Sequence, residues 1–287
     1  MAFLKTFLPE SLVQFIRRRL DRSHFYGLTL TLLFAAVICL FLLLFGMIQQ
    51  VIASNLIIAM DARVASLLFD FRDTELIKFF IWITVSAEWQ IVLAFAIVCS
   101  IILFLWKKIT YLLPFWIALA GSELFTYLLK SWVHRIRPPD AIFLESSFSF
   151  PSGHASMGLV FYGFLAFILL RLIKKWEHKI AVLFFSSVLI LMIGVSRLYF
   201  GVHFLSDVLG GYLLGAFWLL IGIAIFQCLE NTRSLPSFTS TIKVKIISLV
   251  LIISGLVFYF NFALNYRSSF THEETSNMAV TAYSFRV

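Results

Sequence analysis

The sequence predicts an all-α, polytopic membrane bundle, and three observations carry that prediction. Seven apolar stretches approach or exceed the ~20 residues needed to cross ~30 Å of hydrocarbon; they lie at about 27–49, 79–106, 111–130, 155–173, 180–197, 204–228 and 244–264. Only 13% of residues are charged, about half of the ~25% with which a soluble domain covers its surface, and the mean hydropathy is +0.96. The runs are also continuous, whereas barrel strands alternate over ~10 residues.

The first run follows Arg17, Arg18, Arg19 and Arg22. It is too long for the h-region of a cleavable signal, and no small-residue cleavage pattern follows, so it should stay as an anchor. Leu12, Phe15, Ile16 and Leu20 among these arginines suit a short amphipathic helix on the membrane surface; a topology-setting charge cluster accounts for them equally. Loop 53–78 holds Leu56, Ile57, Met60, Val64, Leu67 and Leu68 among charges, which suits a helix lying on the interface. The second run is interrupted by Glu88, Trp89 and Gln90, so its boundary is soft. Loop 131–154 is polar and broken by Pro138, Pro139, Pro151 and Gly153. A short link at about 198–203 joins the fifth and sixth runs, and the last ~20 residues read as a flexible polar tail. The organisation is thus a basic segment 1–26, a six-span core 27–228, a loop with an additional span 229–265, and a tail 266–287. Cys39, Cys99 and Cys228 lie in apolar runs without metal-ligand spacing and read as small hydrophobes.

Lysine and arginine favour the cytoplasmic side of short loops. With the N-terminus cytoplasmic, 14 of the 23 fall inside and nine outside. The net charge of +8 then calls for anionic lipid as a partner and not for nucleic acid. The short loops and basic N-terminus fit a bacterial inner membrane, with the outer loops facing the periplasm.

Three outer segments carry the chemistry. Lys130 and Arg137, seven residues apart, lie at the mouth of the third span, with Pro138 next. Pro151, Ser152, Gly153 and His154 open the fourth; Ser196, Arg197, His203 and Asp207 bridge the fifth and sixth. Charges beside hydrocarbon are costly and usually functional. Lys130, Arg137 and Arg197 suit the oxygens of a phosphate. Ser152 and Gly153 stand where a helix N-terminus offers free N–H groups to an anion. On a helical start to the sixth span, His203 and Asp207 share a face. The carboxylate can fix the imidazole tautomer and leave the other nitrogen to attack phosphorus. His154 can protonate the leaving oxygen and later deprotonate water. Taken singly, each cation also fits a snorkelling interfacial charge; the joint pattern on one face does not.

These segments closely resemble the motifs of the type-2 phosphatidic acid phosphatase superfamily. Its pattern is Lys, six residues, Arg-Pro; then Pro-Ser-Gly-His; then Ser-Arg, five residues, His, three residues, Asp. Every position is matched, over 130–207. The resemblance implies a six-helix core and a phosphohistidine at His203 oriented by Asp207. It further implies acid/base work by His154, phosphate binding by Lys130, Arg137, Ser152, Gly153 and Arg197, and no required metal or other cofactor.

Other polar residues have plainer readings. His134 and Arg135 occupy variable positions of the first motif and read as loop residues. Glu123 suits a hydrogen bond between helices ahead of a catalytic part, and Glu88 a structural or interfacial role ahead of headgroup recognition. Gly210, Gly211 and Gly215 read as close helix packing. The expected activity is hydrolysis of a lipid phosphate or diphosphate: phosphatidate, phosphatidylglycerol phosphate, undecaprenyl diphosphate or a lipid A phosphate. A lipid phosphotransferase using the same site is the alternative within enzymes; a non-catalytic lipid binder or transporter is the alternative outside them. Oligomeric state has no signal in the sequence.

Overall fold

The computed structural model describes residues 27–143, 145–232 and 241–284, the side chains of 232 and of 267–284 excepted. The surface helix expected before the first span falls outside these residues. Nine α-helices are described: α1 Leu28–Ala53, α2 Asn55–Asp70, α3 Thr74–Val85, α4 Trp89–Leu105, α5 Leu112–Val133, α6 Gly153–Leu172, α7 Trp176–Tyr199, α8 Leu205–Thr232 and α9 Ile242–Ser284. Among the described residues six helical segments are long and apolar enough to cross a membrane; α3 and α4, bent by 44° at 86–88, make a seventh if the pair is counted as one span. The interruption at Glu88 is therefore a bend and not a loop. A charged and polar tripeptide in an apolar run frees backbone groups that must find partners inside the bundle. They do: Tyr162 donates to the Ser86 carbonyl at 2.9 Å and Tyr259 of α9 to that of Trp82 at 2.5 Å.

Helix α8 is the central element, packed against α1, α5, α6 and α7. Its glycines make this possible, as the sequence predicts. A Cβ at Gly211 would lie 2.5 Å from the Ser152 carbonyl oxygen, and one at Gly215 2.7 Å from that of Ser156. Without side chains there, α8 lies directly on the start of α6. One core, including Phe115, Val160, Phe164 and Phe226, fills the space between α4, α5, α6 and α8. A second, with Ile81, Val85, Ile91, Phe200 and Ala263, joins α3 to the α7–α8 link and to α9. Large apolar side chains such as Phe34, Leu42, Phe184 and Phe185 remain exposed on the outside. That suits lipid as the solvent, since lipid gives no drive to bury them.

Loop 53–78 forms a helix, α2, as expected, but its Asp61 is buried against the bundle. Residues after 266, expected as a flexible tail, continue α9 as helix to Ser284. All three motif segments meet at one end of the bundle.

Candidate active site

Each motif residue is placed by a helix end. Helix α5 stops at His134, whose left-handed backbone (φ 50°, ψ 35°) turns the chain into the 134–152 loop. Lys130 sits in its last turn. Ser152 is the N-cap of α6, with no side-chain cap bond, so Gly153 and His154 occupy the first turn. Helix α7 delivers a fully buried Arg197. The link to α8 turns at Gly201 (φ 66°), a backbone that a side chain would strain.

His203 lies in this link, two residues before α8, and not on a helical turn as expected. It remains close to Asp207, but at 3.6 Å between Nδ1 and Oδ2 the pair is beyond hydrogen-bond length, and Nδ1 is buried without a partner. Asp207 is engaged elsewhere. Its Oδ2 accepts from the Phe204 N–H at 2.8 Å, the reciprocal half of a capping box. Its Oδ1 accepts from Arg135 at 2.6 Å. Arg135 also pairs with Asp61 at 2.7 Å, and Ser206 bonds both. Arg135 is thus no plain loop residue: it ties α2, the loop and the first turn of α8 together behind His203. The sequence signal was its position between Lys130 and Arg137, inside the first motif.

Lys130, Gly153, His154 and His203 line a cavity of about 350 Å³, together with Glu88, Glu123, Glu145, Ser147 and Tyr266. Arg137 Nη1 donates to the Val202 carbonyl at 2.7 Å and to His203 Nε2 at 3.2 Å. Because Nε2 accepts, the imidazole proton resides on Nδ1, the nitrogen that faces Asp207. Burial, then the cations Arg137, Arg197 and Lys130, hold the His203 imidazole neutral well below its ordinary range. In this neutral ring the Nε2 lone pair is unprotonated and points at the Arg137 guanidinium; it can act as a nucleophile once that hydrogen bond is given up.

Glu145 fills the centre. One carboxylate oxygen meets Arg137 Nη2 at 2.5 Å and the other meets Arg197 Nη2. Burial alone would raise this carboxyl; the charges of Arg197 and Arg137 outweigh it and bring it down to about 2. Lys130 donates to the Phe148 carbonyl and, at 3.4 Å, to Ser147 Oγ. Sequence reasoning missed Glu145, since its partners are 8 and 52 residues away. Ser152 contributes differently from expectation. Its N–H donates to the Asp207 carbonyl at 2.9 Å, and its hydroxyl is buried without a hydrogen-bond partner. Glu123 makes none of the expected helix–helix hydrogen bonds among the described residues and lines the cavity instead. His154 Nε2 bonds Glu88 at 3.1 Å.

The arrangement offers three cations, a helix start and two imidazoles around a space already holding a carboxylate, and that is a site for a tetrahedral anion. The model of the PAP2 superfamily matches residues 91–231, which include all three motifs. Phosphatidylglycerophosphatase B of Bacillus subtilis is 39% identical over 112 residues, 38% of this chain and 53% of that protein. The chain thus spans about half the length of the curated relative it matches. The solved structure of a transmembrane PAP2-type phosphatidylglycerolphosphate phosphatase from Bacillus subtilis aligns with a TM-score of 0.62 at 28% identity, over 70% of this chain and 98% of that one. An integral membrane bundle with every motif position in place and a matching solved fold, the chain belongs to the PAP2 superfamily, the type-2 phosphatidic acid phosphatases.

Proposed function

We propose that the protein is a lipid phosphate phosphatase that works through a phosphohistidine at His203, without a metal. The observation that supports the reading is Glu145: Arg137 and Arg197 already hold a carboxylate beside the neutral His203, and the same two guanidiniums suit phosphate oxygens. A phosphate monoester exchanges for that carboxylate on the two guanidiniums, with Lys130, the Gly153 N–H and the Ser152 hydroxyl taking further oxygens. Guanidinium and ammonium groups then supply the charge stabilisation that a metal gives elsewhere. Nε2 of His203 attacks phosphorus, the P–O bond to the lipid breaks, and His154 gives its proton to the leaving alkoxide. Asp207 faces the imidazole edge that becomes cationic. Water then attacks the phosphohistidine, His154 takes its proton, the P–N bond breaks and orthophosphate leaves.

The substrate's tail stays in lipid while its headgroup reaches the bundle end. Phosphatidylglycerol phosphate is the first candidate, since both relatives are named for it. The charge bias of the loops supports a cytoplasmic N-terminus and a site on the opposite face; core residues 27–228 carry the chemistry. Labelling single cysteines at positions 108 and 147 with an impermeant maleimide tests this orientation: only 147 should react in intact cells.

The decisive experiment is phosphate release by detergent-purified protein in EDTA. The substrates are phosphatidate, phosphatidylglycerol phosphate, undecaprenyl diphosphate and a lipid A phosphate, with His203→Ala alongside. Release that disappears in His203→Ala is expected. Release surviving His203→Ala sinks the phosphohistidine, and a newly phosphorylated lipid in place of orthophosphate makes the protein a phosphotransferase.

A further inference from the structure

Helix α9 is not among the residues that the superfamily model matches, yet it reaches the site. Tyr266 lines the cavity, and its hydroxyl donates to Glu88 Oε1 at 3.1 Å. The same oxygen accepts from His154 Nε2 at 3.1 Å. Glu88 also precedes the matched range of 91–231. It occupies the N-cap of α4 in extended conformation (φ −63°, ψ 138°), where a carboxylate ordinarily accepts from the N–H groups of the helix it starts. Here no side-chain cap bond forms; the carboxylate turns to the imidazole instead. The 44° bend of the second span is what brings a residue of an apolar run to this place, and Tyr259 of α9 holds that bend from behind.

The chemistry of His154 needs what this chain of contacts provides. A ring that gives up a proton and takes it back must keep one nitrogen committed while the other faces the reacting oxygen. Glu88 accepts the Nε2 proton, so Nδ1 is the nitrogen left for the leaving group. Tyr266 fixes the carboxylate oxygen by a second hydrogen bond and limits its rotation.

We propose that Glu88 and Tyr266 are positioning residues for His154, so that the seventh span completes the active site of what is otherwise a six-span enzyme. The inference rests on the phosphohistidine reading above and concerns only the acid/base half of it.

The test uses the full chain in detergent and two monoesters, phosphatidylglycerol phosphate and p-nitrophenyl phosphate. Loss of an alkoxide needs the proton from His154, whereas nitrophenolate leaves without one. Because kcat/KM reports the steps through loss of the leaving group, it separates the two. Glu88→Gln should lower kcat/KM on the lipid by about 10- to 100-fold, the worth of a charge-assisted hydrogen bond. On the aryl phosphate it should stay within about threefold. Tyr266→Phe should show the same selectivity at about two- to fivefold. Glu88→Gln combined with His154→Ala should be no worse than His154→Ala alone, because residues acting as a unit are non-additive. Equal losses on both substrates, or losses that multiply in the double variant, reduce Glu88 to a structural residue and overturn the proposal. A Tyr266→Phe variant with wild-type kcat/KM on the lipid removes α9 from it. If His203→Ala keeps wild-type rates, the phosphohistidine reading itself has failed and the proposal falls with it, an outcome recognisable before any Glu88 variant is made.

Discussion

Replacing Arg135 should cost more than replacing Lys130, Arg137 or Arg197 singly, because among the described residues Arg135 is the lysine or arginine in ion-pair contact with both Asp61 and Asp207. Its side chain is 12% exposed, Asp61 3% and Asp207 0%, with contacts of 2.7 and 2.6 Å. Water therefore cannot take over when the guanidinium is removed. Removing one partner of a buried ion pair costs about 3–5 kcal/mol. At about 2–4 °C per kcal/mol for a protein of this size, Arg135→Ala should lower the melting temperature in detergent by on the order of 10 °C. Activity should fall with it, since Asp207, freed on one side, no longer faces His203 from a fixed position. The cause can be isolated. Asp61→Asn in the Arg135→Ala background removes one of the two stranded charges and should recover part of the lost stability, while Asp61→Asn alone should destabilise. A melting temperature for Arg135→Ala within about 2 °C of the wild type, or a double variant less stable than Arg135→Ala, would refute the assignment of Arg135 as the anchor of both carboxylates.

Three further outcomes follow from the geometry. Glu145→Gln removes the anion that competes with phosphate on Arg137 and Arg197; the inhibition constant of orthophosphate should tighten by about tenfold, and an unchanged or weaker constant counts against displacement. Gly211→Val places side-chain atoms against the Ser152 carbonyl, where even a Cβ lies at 2.5 Å, and should cost about 1–3 kcal/mol. Gly46→Ala, with nothing within 4 Å of its Cβ, is the control that should leave the melting temperature unmoved. Acidification should destabilise the fold in two stages, because His203 and Glu145 both have folded pKa values below their unfolded ones. The unfolded chain then takes up protons first. Stability is at its maximum above about pH 6.5, falls as His203 resists protonation, and falls again from about pH 4.3 towards 2 as Glu145 is neutralised. In melting curves between pH 8 and 3, the slope just below pH 6.5 should shrink in His203→Gln; an identical slope would refute the neutral, buried His203.

The sequence made legible whatever depends on local spacing. The spans follow from the length of apolar runs, and the packing role of Gly211 and Gly215 from their repeat along one run. The meeting of Lys130, Arg137, His154, Arg197 and His203 at one end follows from the parity of helix crossings. What stayed hidden depends on pairings between distant segments. Arg135 finds Asp61 across 74 positions and Asp207 across 72; Glu88 finds His154 across 66 and Tyr266 across 178. Each was visible as a charge where charges are costly, and Glu88 interrupted an apolar run, but cost alone does not name a partner. His203 was placed on a helical turn because its spacing to Asp207 allows one. The capping bond from the Phe204 N–H to Asp207 starts the helix later and leaves His203 in the link.

The pairings share one physical logic. Three cations gathered beside hydrocarbon repel one another, and without an anion the cluster would open. Glu145 pairs with Arg137 and Arg197 and so holds the two guanidiniums in orientation; on the proposed reading it occupies the place of the substrate phosphate. Arg135 does the converse for the buried acids, taking the charge of Asp61 and Asp207 away from the cavity side. On the proposed reading, a phosphate monoester enters by exchange of one anion for another and not by charging an unpaired site. Exchange keeps the net charge of the cluster low at every stage, so binding depends on how well the ligand bridges both guanidiniums. A dianion with three oxygens bridges them and reaches Lys130 as well; a carboxylate cannot. Selectivity for phosphate over the lipid carboxylates and carbonyls around it then comes from geometry, with Glu145 as the internal standard that any ligand has to outcompete.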